Sequence, residues 1–220
     1  MSQSPDAGAS RSPLSPTRRG ALGTLGFGAL AFFSSNSPVS AMVTGKSNQP
    51  KVIVPTSGRG AVSLDMSALP PEWVQRQGNE LKVYAAYLTS IRLQRLTPQQ
   101  VIAAHAKRHG RIWNSLPPRS LWRQMVPTLR VVDRVAVELG QPVGEIISAY
   151  RSPAYNATCP GARSGSWHQA NVAVDVKFAA SASTVSGAAR SLRTRGLFRG
   201  GVGRYGSFTH IDTRGKNVDW

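Results

Sequence analysis

Ser166-Trp167-His168-Gln169-Ala170-Asn171-Val172-Ala173-Val174-Asp175-Val176-Lys177-Phe178 is the stretch on which the fold turns. Val172, Val174, Val176 and Phe178 alternate with Ala173, Asp175 and Lys177. A two-residue period of this kind marks a strand with one face in a core. The alternation places Asp175 on the face away from the valines. A carboxylate in so apolar a strand is costly unless it is exposed, paired or bound to a metal. A last short strand is predicted at Phe208 to Thr213, where His210 shares a face with Phe208 and Asp212. Glu145 to Tyr150 reads as a further β run.

Helical signals surround these strands. Thr97-Pro98-Gln99-Gln100 offers an N-cap Thr, Pro at the first helical position and Gln at the third. That helix is expected to reach about Arg108 and stop near Gly110. The longest helix is predicted over 119–139, because Leu121, Met125, Leu129, Val132, Ala136 and Leu139 recur every three or four residues. Gly140 and Pro142 end it, and Pro127 is expected to kink or split it. Ser183 to Arg195 is a third helix, closed by Gly196. Leu81 to Leu88, rich in Val, Tyr and Leu, is predicted as a strand. Helices and strands mixed in this order, with hairpin-length links, give an α+β fold. Its expected form is a small, mainly antiparallel sheet packed with helices.

Composition sets the wider frame. A chain of 220 residues, 40% hydrophobic and 7% aromatic, suits one folded domain with a tail. No repeat or second long apolar run supports a collagen, coiled-coil or multi-span membrane class. The excess of 27 Lys and Arg over 10 Asp and Glu, a net +17, favours an anionic partner. Residues 1–41 read as a signal peptide. Thr17-Arg18-Arg19 precedes an apolar stretch from Ala21 to Phe33, and Val39-Ser40-Ala41 offers small residues for cleavage. That stretch is too short to cross a bilayer as a helix. The paired arginines resemble a twin-arginine export signal.

The expected location is therefore the periplasm or cell wall, with membrane contact only through the signal before cleavage. An exported +15 chain of 179 residues would meet peptidoglycan carboxylates, anionic wall polymers or a membrane face. Nucleic acid is not expected, since the arginines are dispersed and no recognition-helix or stacking motif is present. Cys159 is the one cysteine, so no internal disulfide forms, and its Pro/Gly-rich loop reads as holding a surface or packing thiol. Residues 42–60 read as a loose lead-in segment.

The chain has four histidines. His105 and His109 are four residues apart on a predicted helix, a spacing that can bind zinc. No Glu lies between them, and they read as surface or core histidines. His168, Asp175 and His210 offer two imidazoles and one carboxylate. That is the ligand set of a zinc site with one position open to water. Spacing alone fits equally well two unrelated histidines and a salt-bridged Asp.

Ser166-x-His168-x6-Asp175, followed by Thr209-His210 near the C-terminus, resembles the zinc D-Ala-D-Ala peptidases of bacterial cell walls. That family includes carboxypeptidases, murein endopeptidases and phage L-alanyl-D-glutamate endopeptidases, and shares its fold with the hedgehog signalling domain. Ser148-Ala149-Tyr150-Arg151-Ser152-Pro153 resembles the family's Ser-Gly-Tyr-Arg-Ser element. The resemblance covers about residues 118–215 and is closest to an exported, poorly characterised branch. It implies a peptidase-like domain over 118–220, with 42–117 as an N-terminal extension.

It also implies that His168, Asp175 and His210 hold Zn²⁺ and that Arg151 meets a substrate carboxylate or developing oxyanion. Ser166 would hold the loop or hydrogen-bond near the site. The implied activity is hydrolysis of peptidoglycan peptide bonds, in the stem peptide or a cross-link. Two positions depart from the pattern. Asn171 replaces a Gly, which a left-handed backbone tolerates next best. Phe208 and Ser207 stand where the family commonly has its general base. Asp212 could substitute as base, orient His210, or itself bind metal with His210 as base. Lys177, Arg163 and Arg204 flank the motifs and read either as partners of substrate carboxylates or, for any one of them, more simply as solvated charges. A non-catalytic zinc module that holds wall peptide, and a metal-free basic protein that holds an anionic polymer, are the rival expectations.

Overall fold

The computed structural model describes residues 52–54 and 62–220, so the expectations for residues 1–41 lie outside the described residues, as does the lead-in segment apart from one strand. That strand, β1 (Val52–Val54), pairs antiparallel with β2 (Val62–Leu64). Three helices follow: α1 (Pro71–Gln77), α2 (Asn79–Ser90) and α3 (Pro98–His105). A two-residue hairpin comes next, β3 (Arg108–His109) with β4 (Ile112–Trp113). After it runs the long helix α4 (Trp122–Glu138).

The remainder alternates. β5 (Glu145–Ser148), the short helix α5 (Pro153–Thr158), β6 (Ala173–Lys177), α6 (Ala182–Thr194), β7 (Gly201–Arg204), β8 (Thr209–Asp212) and β9 (Val218–Asp219) complete the chain. Their five strands form one sheet in the order β5-β6-β8-β7-β9, antiparallel except for the β7–β9 edge. This is the expected α+β arrangement. The core is continuous from Leu64 to Ile211 and draws on α1 to α4, α6 and the sheet. Tyr84 and Tyr87 of α2 lie 5.0 and 5.1 Å from the Trp122 ring at the start of α4. Among the described residues no helix is long and apolar enough to cross a membrane.

Several expectations need correction. Leu81 to Leu88 is helical, not a strand. Leu81, Tyr84, Ala85 and Leu88 fall at helical spacing and all four are buried, while Lys82 is exposed. A 3.6-residue period thus outweighs β-rich composition. α3 has the predicted Thr97–Gln100 capping box but ends at His105, because the chain turns at Gly110 (φ 57°) into the β3–β4 hairpin. His105 and His109 therefore do not share a helix. His105 is a core residue whose Nδ1 bonds the Val101 carbonyl at 2.6 Å, and burial pushes its pKa down to about 4. His109 is exposed.

Pro127 does not split α4. It lies on the exposed face, and the helix runs through it without a break. β8 is not the last strand, and β7, β9 and α5 went unpredicted. Gly201-Val202-Gly203 carries too few side chains to show an alternation.

Asp133 on α4 ties the helical layer together. Its buried carboxylate accepts the backbone N–H groups of Gln94, Arg95 and Leu96 at 2.6–3.0 Å. Asp133→Ala strands these donors and is expected to lower stability by about 3 kcal/mol. Asp133→Asn, which keeps one acceptor oxygen, should cost less. Urea unfolding of the three proteins checks both.

Candidate metal centre

One row of residues crosses the sheet. Ser148 on β5 faces Asp175 on β6, Asp175 faces His210 on β8, and His210 faces Gly203 on β7. The neighbouring row, with Val174, Ile211 and Val202, points the other way into the core, and all three are fully buried. Pleat and register therefore put Asp175 and His210 side by side on one face.

His168 reaches them from the turn before β6. The turn needs a left-handed residue, and Asn171 supplies it at φ 57°. Its backbone N–H donates to the His168 carbonyl (3.2 Å) and its Nδ2 to the Leu121 carbonyl (2.8 Å). The departure from Gly is thus accommodated. Ser166 Oγ accepts the His168 N–H at 3.3 Å and holds the loop.

The three side chains are buried, and each offers one ligand atom within 4.8 Å of the others. Their hydrogen bonds fix which atoms these are. His168 Nδ1 lies 2.7 Å from the Ala149 carbonyl, which only accepts, so Nδ1 carries the proton. Burial pushes the His168 pKa down by more than Asp175 lifts it, keeping the ring neutral. Its Nε2 lone pair then faces Asp175 Oδ2 at 3.3 Å. His210 Nδ1 is 2.8 Å from Asp175 Oδ1, and its Nε2 is 2.9 Å from Asp212 Oδ2.

Burial works against the Asp175 carboxylate, yet the groups packed around it hold it ionised, below the usual carboxylate range. A neutral imidazole lone pair aimed at a carboxylate oxygen is repulsive unless a cation lies between them. Two ring nitrogens and a carboxylate oxygen are a donor set that Zn²⁺ accepts. The residues present fit the ion.

The surrounding groups orient this set. Arg151 Nη2 donates to Asp175 Oδ2 (2.8 Å) and its Nε to Ser148 Oγ (2.7 Å). The guanidinium is thus half committed to the centre while it lines the cleft. Asp212 stands differently from the base the sequence suggested. It is fully buried and absent from the cleft lining. Its oxygens accept Gly201 N–H (3.0 Å), Arg214 N–H (3.1 Å) and Arg214 Nε (2.7 Å), with Arg214 Nη2 closing a fork. Burial would raise its pKa, but His210 and Arg214 more than reverse this and hold it low. With most of its lone pairs taken, Asp212 meets His210 Nε2 and does not line the cleft.

Sequence reasoning missed Asn114, which lies outside every motif. Its buried amide donates to the Tyr150 carbonyl (2.8 Å) and accepts the Ser152 N–H (2.9 Å), clasping the backbone on both sides of Arg151. Trp73 Nε1 of α1 donates to the Asn114 carbonyl (2.7 Å). Arg214, two residues after Asp212, was also overlooked. Cys159 is half-buried against the Tyr155 carbonyl (3.4 Å) and does not line the cleft.

An α+β fold whose cleft is lined by a buried cluster of two histidines and one aspartate carries a candidate mononuclear metal centre. The chain belongs to the Peptidase M15 family, whose model matches residues 94–212, more than half of its length. No curated protein and no solved structure matches it. Peptidases of this family are zinc dependent, and His168, Asp175 and His210 form the cluster that can hold the ion.

One zinc per chain is expected by elemental analysis, with none in His168→Ala or Asp175→Asn. Asp212→Asn should keep the site but weaken its affinity by roughly tenfold or more. Removing zinc with a chelator should lower the melting temperature, and added zinc should restore it.

Proposed function

We propose that the protein is a zinc metallopeptidase that cuts peptide bonds of peptidoglycan, in the stem peptide or a cross-link, after export by the twin-arginine route. The observation that carries this reading is the convergence of three ligand atoms on a cleft that Arg151 also lines. When bound, zinc would polarise the scissile carbonyl and lower the pKa of a water to about 7.

The chain's own residues supply orientation and charge. The Ala149 carbonyl fixes the His168 tautomer, and Asp212 fixes that of His210. Arg151 tempers the charge on Asp175 and keeps its Nη1 donors for an oxygen that gains negative charge, whether substrate carboxylate or oxyanion. Asn114 sets the turn that carries Arg151, which makes it a positioning residue for the reaction.

A second reading has its own support. Among the described residues that line the cleft, Asp175 is the one acid, and positions 207 and 208 hold Ser and Phe. With Asp212 fully occupied, no free carboxylate stands ready to move a proton. This favours a zinc-containing module that holds wall peptide without cutting it.

Digestion of purified peptidoglycan, followed by mass spectrometry, separates the two. A peptidase gives loss of one kind of peptide bond, stopped by a chelator and by His168→Ala. Retention of peptidoglycan with zinc bound and no cleavage establishes the binding module. For the peptidase, Asn114→Ala should lower kcat by about tenfold or more at unchanged zinc content, since it frees Arg151 without touching a ligand. Steady-state kinetics beside zinc analysis checks this.

A further inference from the structure

Five large apolar side chains are exposed among the described residues. Two are aliphatic, Ile112 and Leu197, and neither lines the cleft. The other three are Trp167 (40% exposed), Tyr205 (41%) and Trp220 (44%), and all three line it. Exposed rings gathered at one cleft cost solvation and call for an occupant.

The rings are held in place before anything binds. The Arg214 guanidinium lies over Trp167 at 5.1 Å and over Trp220 at 5.2 Å, joining the His168 loop to the β9 edge. Tyr205 stacks on Phe208 with centroids 4.4 Å apart and planes 11° from parallel. Trp220 Nε1 donates to the Tyr205 hydroxyl at 2.9 Å. Gly203 makes room for the indole, since a Cβ there would collide with it. The Trp220 ring centre is 5.1 Å from that of His210, so the platform abuts the metal centre.

The chemistry of the lining selects the occupant. Beyond the rings and the metal-centre residues it offers Arg, Ser, Gly, Ala and Pro with one Val, and no Leu, Ile or Met. Such a surface has no pocket for a branched aliphatic side chain. It does have flat π faces with polar edges, set among hydroxyl and guanidinium donors. A pyranose ring has the matching character, with C–H groups on its face and hydroxyls around its rim.

We propose that Trp167, Tyr205 and Trp220 form a saccharide subsite for the glycan to which the stem peptide is attached, so that the protein prefers glycan-bearing substrate over free peptide. This rests on the peptidoglycan reading above.

The test compares kcat/KM of the zinc-loaded protein for a free stem peptide and for the same peptide carrying its disaccharide. The attached sugar is expected to raise kcat/KM by about tenfold, mainly through KM. Trp167→Ala and Tyr205→Ala should bring the ratio close to one, and Trp167→Phe, which keeps a ring, should retain most of it. Zinc content is measured in each variant, and Tyr205→Ala decides if Trp167→Ala loses metal. Equal rates on the two substrates in the unaltered protein overturn the subsite and leave the peptidase reading standing. If neither substrate is cut, the peptidase reading fails, and calorimetry with peptide-free glycan strands decides the subsite. Binding that Tyr205→Ala abolishes supports it, and no binding overturns it.

Discussion

The Asp175 carboxylate is the constraint around which the structure is arranged. It sits 5% exposed on β6, between β5 and β8, with core-facing residues on either side of it in sequence. An ionised carboxylate at such a place must be met by cations or donors from every side. The turn after β5 contributes Arg151, which Ser148 of β5 holds in place. β8 contributes His210, while His168, from the turn before β6, brings a lone pair that a cation must bridge to the carboxylate. Each partner arrives on a different segment, so the register of two strand pairs and one left-handed turn must hold together. A slip of one residue on β8 would turn His210 into the core and bring Ile211 to the site.

The same problem recurs one step outward. Asp212 is also buried, two residues along β8, and it too must be neutralised. Arg214 forks onto it, and Gly201 offers a backbone N–H at a point where a side chain would collide with the Asp212 carboxylate. The two aspartates bracket His210, one at each ring nitrogen. This fixes the ring plane without any bond to the cleft side, which leaves the ligand atom determined by the fold rather than by what binds. The glycines of β7 follow from the same crowding: Gly201 makes way for Asp212 and Gly203 for Trp220.

What the sequence disclosed follows from this physics. The alternation about Asp175 exposed both the strand and the anomaly of a carboxylate within it. Spacing left His168 and His210 open as two unrelated histidines, and only the resemblance of Ser-x-His-x6-Asp and the late Thr-His to the peptidase motifs singled them out. Asn171 was rightly suspected of a positive φ. The role of Asp212 was not decidable, because base, ligand and orienting partner differ only in what surrounds the carboxylate. Arg214 and Gly201, which occupy its oxygens, carry no pattern of their own. α2 was misread because short apolar runs suit either element, and the deciding contacts with Trp122 come from a distant segment. Asn114 was invisible for a related reason: its partners are backbone atoms, and backbone partners leave no trace in side-chain spacing.

Asn114 also bears on what the N-terminal helices are for. Trp73 holds the Asn114 carbonyl, the Asn114 side chain holds both flanks of Arg151, and Arg151 holds Asp175. This continuous series of hydrogen bonds runs from α1 to the metal centre. The core follows the same path, since Tyr84 and Tyr87 cover Trp122 and Asp133 fastens the chain before α3. A cut between residues 117 and 118 would strip one face of α4 and release the turn that carries Arg151. The family match also begins upstream of that point, at residue 94. The helices of residues 71–105 are therefore best understood as the back wall of the site. They contribute no atom to the cleft, and they determine where the one guanidinium bonded to Asp175 can stand.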